Sequence, residues 1–310
     1  MAQTPQSNFK SNFKSNFKSD IQSETHQSLQ KLDWVGMGRM QSVLQLNEVN
    51  IPCELSMTVN LTEGNRGIHM SRLYTLMTEQ FLNKKVKDIS LRNFLQTAVK
   101  SQEGLSDQAG LTLDFNYPVK TQALKSGIAG HRNYPVHIAA LESPTGFQMW
   151  LQFEILYSST CPQSAALSLE SLKNKLSEPG HDFKSMRRLP ATPHAQRSAM
   201  TCELLFARDV LSEIETLIAT QVTKIEQILK TPVQTAVKKA DEIAFAELNS
   251  ENLMFCEDAV RKIDDKLRLS LDQAHLGIAG YRIKTRHEES LHPHNAISCI
   301  TRNFKPHPFS

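Results

Sequence analysis

A chain of 310 residues, 40% of them hydrophobic and 22% charged, has the composition of a folded globular protein. It exceeds one typical domain of about 100–150 residues, so two domains or two similar halves are expected. The net charge of +3 is small and dispersed, which excludes the concentrated basic stripe of a nucleic-acid binder.

No run of about 18 apolar residues is present to span a bilayer, and the opening MAQTPQSNFK lacks the apolar centre of a secretory signal. A cytoplasmic protein without membrane or nucleic-acid partners is expected. Cys53, Cys161, Cys202, Cys256 and Cys299 are odd in number and lack CxxC spacing, as reduced thiols do and a disulfide framework does not.

Residues 7–18 repeat SNFK three times, with no helical or strand period, and residues 1–32 read as a disordered tail. Two strands follow from Asp33, VGMGRMQSVLQL and IPCELSMTVNL. Two helical faces come next, one on Leu73, Leu76 and Met77 and one on Leu91, Phe94 and Leu95. GLTLDFNYPVKTQ, YPVHIAALES and an apolar run ending at Tyr157 read as three more strands. The polar, proline-punctuated stretch from Ser168 to Pro193 reads as a short helix and a loop.

Beyond it the theme repeats. SAMTCELLFA is a strand, DVLSEIETLIATQV a helix with Asp209 at its N-cap, and ENLMFCEDAVRKIDDKLRLSL a long amphipathic helix. IAGYRIKTRHEES and NAISCITR close the chain as strands. Two alternations of strands with helix pairs predict a duplicated α+β unit, with halves at 33–190 and 191–310.

Cys161 follows a buried strand and directly precedes a proline. A thiol there can fill core, attack a substrate or hold a metal. His194, Glu242, His292 and His294 supply the imidazoles and carboxylate that would complete a metal site with an open position, although 33 residues separate Cys161 from His194 and no finger-like spacing is present. Arg66, His69 and Arg72 crowd a turn that enters a helix, where anions bind and where solvated charge is the plainer reading. His131 and Arg132 form a similar cluster. Glu257 and Asp258 sit on the long helix with nothing local to separate them.

DWVGM, RGIHMSRL, HRNYPV, TCPQS, TPHAQRS, KKADEIAFAELNSENLMFCEDAVR and ESLHPHNA, in that order from about Asp33 to Cys299, together resemble the GTP cyclohydrolase IB family. The resemblance implies tandem tunnelling-fold (T-fold) units, antiparallel sheets backed by helix pairs, in a homotetramer with sites between subunits. It implies a divalent metal (Mn, Fe or Zn) on Cys161, His194 and Glu242, with His292 a further candidate. It also implies metal-activated water attacking C8 of GTP, giving 7,8-dihydroneopterin triphosphate and formate, the first step of folate synthesis.

By the same resemblance Glu257 anchors the guanine edge, Arg66, His69 and Arg72 take the triphosphate, and His292 moves protons, with His294 and His287 as rivals. Gln163 stands where the family has a second cysteine, and the segment between Cys161 and His194 is longer than the family's. Three other readings compete: an archaeal-type cyclohydrolase giving a cyclic phosphate, a nitrile reductase that ESLKNKL resembles only faintly, and a T-fold scaffold without chemistry.

Overall fold

The computed structural model describes residues 29–46, 49–82, 84–271 and 277–309; the SNFK repeats lie outside them. Apolar residues at every second position bury one face of a strand and leave the other to water, and that alternation builds the sheet. The elements in chain order are β1 (Leu32–Leu46), β2 (Val49–Leu61), α1 (Met70–Gln80), α2 (Leu91–Ser101), β3 (Ala109–Gln122), β4 (Ala129–Ser143), β5 (Gly146–Thr160), α3 (Pro162–Ser177), β6 (Ala195–Phe206), α4 (Ile214–Leu229), α5 (Lys239–Glu251), α6 (Cys256–Leu271), β7 (Ile278–His287) and β8 (Ala296–Arg302).

The eight strands form one sheet in chain order, antiparallel at every pairing. Two rounds compose it, β1 to β4 around the helix pair α1 and α2, and β5 to β8 around α4, α5 and α6 with α3 inserted between β5 and β6, the α+β architecture of paired antiparallel units that the resemblance implies. β5 opens the second round, and the β5–β6 ladder runs from Met149–Phe206 to Thr160–Ala195, so hydrogen bonding is continuous across the middle of the sheet.

The core lies between one face of the sheet and the helices. Phe147, Met149, Leu151, Phe153, Ile155 and Tyr157 alternate into it from β5, and Met200, Cys202, Leu204 and Phe206 from β6. Leu73, Leu76 and Met77 of α1, Leu91, Phe94, Leu95 and Ala98 of α2, and Ile218, Val222, Ile225 and Leu229 of α4 cover them. On the opposite face Ala139, Trp150 and Leu205 make a smaller cluster with Phe304 and Phe309. There the C-terminal segment folds back, Trp150 Nε1–H donating to the Lys305 carbonyl at 2.7 Å. Phe309 lies so close to Gly110 that a Cβ would meet its ring at 2.0 Å, a close approach that requires glycine.

Four elements differ from the sequence expectation: the long helix expected from Glu251 begins only at Cys256 as α6, because Glu251 closes α5, and the other three are α4, α3 and α5. α4 begins at Ile214 with Glu213 as its N-cap, because a 3₁₀ turn over Leu211–Glu213 precedes it. Asp209 serves that turn: its carboxylate accepts the Leu211 N–H at 3.1 Å and, through its other oxygen, the Arg92 N–H at the start of α2. The helix expected around Ser168 starts earlier, at Pro162 with Cys161 as N-cap, since proline is pre-shaped for the first helical position. The stretch around Glu242 forms α5, whose shallow burial leaves a weak helical period to read.

No helix among the described residues is long and apolar enough to cross a membrane.

Candidate active site

β5 ends at Thr160, and the next residue, Cys161, caps α3: its Sγ accepts the Ser164 N–H at 3.5 Å. The 33-residue excursion to His194 is closed by main-chain bonding. Cys161 N–H donates to the His194 carbonyl at 3.2 Å, and His194 N–H donates to Ser164 Oγ at 3.1 Å. The long connection is thus α3 and its loop, and it returns the histidine to the cysteine.

Both residues line a cavity of about 490 Å³ together with Gln163, Gln196, Glu257, His287, Glu289, His292 and His294. Leu167, Phe255 and Leu291, exposed apolar side chains, also border it. The cavity is of the size that holds small ligands.

The α6 N-terminus separates the two acids that the sequence left equivalent. Asp258, the third residue of α6, accepts the Phe255 N–H just ahead of the helix at 3.1 Å, the return bond of a capping box, and lies 3.6 Å from Arg261. Glu257 faces the cavity instead. A similar division holds at α5. Asp241 is buried and accepts the Lys125, Ser126 and Lys238 N–H groups and the Ser126 hydroxyl. The Ser126 hydroxyl first, then the Lys238, Ser126 and Lys125 amides, hold its carboxyl well below the usual carboxylate range. Glu242 is left to line a separate depression with Tyr157, Gln196, Arg197 and Phe245. Gln196 borders both hollows.

The histidines fall into two kinds. His287 is 2% exposed. Its Nε2 meets Tyr157 OH at 2.8 Å and its Nδ1 meets Ser159 Oγ at 3.2 Å. Burial pushes its pKa down against the opposing pull of Glu289 and Glu257, so both nitrogens are committed to a neutral scaffold. His292 and His294 are exposed, with rings stacked 5.1 Å apart.

The basic cluster lies elsewhere. His69 is the N-cap of α1, clamped through its backbone by the Gln102 side chain at 2.8 and 3.0 Å, and Arg72 Nη1 donates to the Ser101 carbonyl. Neither these nor Arg66 are among the residues lining the Cys161 cavity. Arg132 is engaged by Glu226, which also accepts the Tyr134 hydroxyl.

Among the described residues, no three His, Cys, Asp or Glu side chains of this one chain converge closely enough to hold a metal ion. Cys161 and His194 share a cavity; Glu242 is in the neighbouring hollow.

Two residues of the cavity escaped the sequence reading. Glu289 is half-buried, with Oε2 4.0 Å from His194 Nδ1, whereas Glu288 is exposed and pairs with Arg286 at 3.3 Å; adjacent glutamates carry no local sign of which one turns inward. Gln196 did carry one, since it stands two residues after His194 at the start of an extended strand, the spacing that puts two side chains on one face.

The sequence model of the family described as type I GTP cyclohydrolase folE2 matches residues 19–298. A GTP cyclohydrolase FolE2 from Hydrogenovibrio crunogenus is 33% identical over 297 residues, covering 90% of this chain and 93% of that one. Its counterpart from Pseudoalteromonas translucida is 37% identical over 293 residues, covering 87% and 92%, and that from Bdellovibrio bacteriovorus 35% over 307 residues, covering 92% and 96%. Among solved structures, a uricase from Arthrobacter globiformis overlays with a TM-score of 0.48 at 8% identity, covering 89% of this chain and 96% of that one. With the family match spanning most of the chain and the relatives nearly full length, the protein belongs to the type I GTP cyclohydrolase folE2 family.

Proposed function

We propose that the protein is a GTP cyclohydrolase that converts GTP and water to 7,8-dihydroneopterin triphosphate and formate, the first step of folate synthesis, in the cavity beside Cys161. The observation that carries this is the meeting of Cys161, His194, Glu257 and His292 on one cavity of about 490 Å³, in a chain of this family. A scaffold has no use for such a set.

The donor chemistry fits a divalent metal. A thiol and an imidazole tied together by main-chain bonds suit zinc or iron, and a carboxylate added to them suits manganese as well. In this reading Cys161 and His194 would hold the ion and Glu242 would complete the set. When bound, it lowers the pKa of water toward neutrality and so supplies the nucleophile for C8 of guanine.

The chain's own residues do the remainder. Glu257 accepts the N–H donors of the guanine edge, and the apolar rim of Leu167, Phe255 and Leu291 walls the purine. His292, or its stacked neighbour His294, gives a proton to the ring nitrogen that leaves C8 and takes one as the formamide is hydrolysed to formate. Arg66, His69 and Arg72, at an α-helix N-terminus, take the triphosphate. Their place on a different part of the chain from Cys161, like that of Glu242 in its own hollow, supports a homotetramer whose sites are assembled between subunits.

The test is to incubate the purified protein and its Cys161→Ala variant with GTP, with divalent metal supplied, and to identify the products by mass. Formate with 7,8-dihydroneopterin triphosphate from the wild type alone is expected. A cyclic phosphate product, or no formate, overturns the reading.

A further inference from the structure

Gln196 is 8% exposed and joins the cavity to the buried polar scaffold behind it. Its Nε2 donates to Ser159 Oγ at 2.9 Å, which leaves its Oε1 against His194 Nδ1 at 3.2 Å. Ser159 Oγ is itself held by Ser198 Oγ at 2.8 Å and by His287 Nδ1, and His287 is held in turn by Tyr157 OH. The amide therefore has one oxygen to offer, and it offers it to the histidine.

Glu289 Oε2 lies 4.0 Å from the same Nδ1. Two oxygen acceptors thus face Nδ1, an arrangement that places an N–H there and leaves Nε2 with the lone pair. The His194 backbone is fixed independently through Ser164 and Cys161, so what Gln196 adds is the ring's orientation and tautomer.

We infer that Gln196 is a positioning residue that locks His194 as its Nδ1–H tautomer and presents Nε2 as the donor to a divalent metal, with Ser159 fixing the sense of the amide. This rests on reading Cys161 and His194 as metal ligands. Partners of this kind behind a ligating histidine raise its donor strength and fix its ring, and their loss typically weakens metal binding about 10–100-fold.

The test uses the full-length metal-free protein titrated with Co²⁺, following the thiolate-to-cobalt absorption band, with thermal melts of the same metal-free samples. Gln196→Met removes the acceptor at similar volume and should weaken Co²⁺ binding by about 10–100-fold. Gln196→Glu keeps an acceptor on Nδ1 and should bind within about threefold of wild type or tighter, although both variants lose the amide donor to Ser159. A purely structural role would instead make Co²⁺ affinity follow metal-free stability across the set.

Wild-type affinity in Gln196→Met, or equal weakening in Gln196→Glu, overturns the inference. Should the methionine variant fail to fold, Ser159→Ala decides: it frees the amide to flip and should weaken Co²⁺ binding, and unchanged affinity there overturns the inference as well. The underlying metal reading fails separately, and takes the inference with it, if the wild type shows no such band or if Cys161→Ala retains it.

Discussion

Glu257→Gln tests the division of labour at the α6 N-terminus, because the adjacent acid provides its control. A carboxylate receiving two guanine N–H groups makes two charge-assisted bonds, each worth about 1.5–3 kcal/mol. The amide can accept one, while its own N–H₂ confronts the other donor. At least one bond is lost, so GTP binding should weaken by about 10–150-fold, taking 1.4 kcal/mol per factor of ten.

The α6 cap does not involve Glu257, since it is Asp258 that accepts the Phe255 N–H. Thermal stability and metal content of Glu257→Gln should therefore match the wild type. Asp258→Ala should show the reverse, losing about 0.5–2 kcal/mol of stability while GTP binding is retained. The assay is GTP affinity by calorimetry, with melting curves and elemental analysis on the same samples. Normal GTP binding by Glu257→Gln, or a GTP defect confined to Asp258→Ala, would refute the assignment. ATP, which lacks guanine's paired donors, should be a very poor substrate for the wild type.

Cys161→Ala should abolish turnover and metal retention with the fold intact, since the sulfur accepts only a long bond from the Ser164 amide among the described residues; Cys202→Ala, in the core, should keep activity and lose about 1 kcal/mol of stability. Normal turnover by Cys161→Ala would sink the metal assignment. Asp241 has a depressed carboxyl, so its stabilising effect is complete above the unfolded pKa of about 3.9 and is lost as pH falls below that value toward the folded one. Asp241→Asn should accordingly lower the melting temperature at pH 7 and narrow the drop between pH 7 and pH 3; equal drops in both proteins would contradict this. Deleting residues 1–19 should leave turnover and assembly unchanged, because SNFK repeats have no core-forming period, and a large loss of activity would assign the tail a role.

The elements were legible where burial imposes a strict period. Phe147 to Tyr157 in β5, and Leu91, Phe94 and Leu95 in α2, each read correctly because one face of the element enters the core. α5 did not, since Asp241 and Ala244 are its buried residues and a shallow helix imprints little periodicity. Motif order was enough to indicate the family, and Cys161, His194 and Glu257, the residues that the resemblance implies, line one cavity.

What the local residue pattern could not decide is which of two equivalent neighbours turns inward. Glu257 or Asp258, Glu288 or Glu289, and Asp241 or Glu242 are chemically near-identical pairs, and the choice depends on which one meets a helix cap, a surface arginine or a hairpin's amides 115 and 116 residues away. The neutral role of His287 likewise appears only once Tyr157 and Ser159, 130 and 128 residues distant, enclose its ring. The roles of Asp241 and His287 depend on desolvation and on partners remote in the chain, and that of His287 arises only when the sheet brings β5, β6 and β7 side by side.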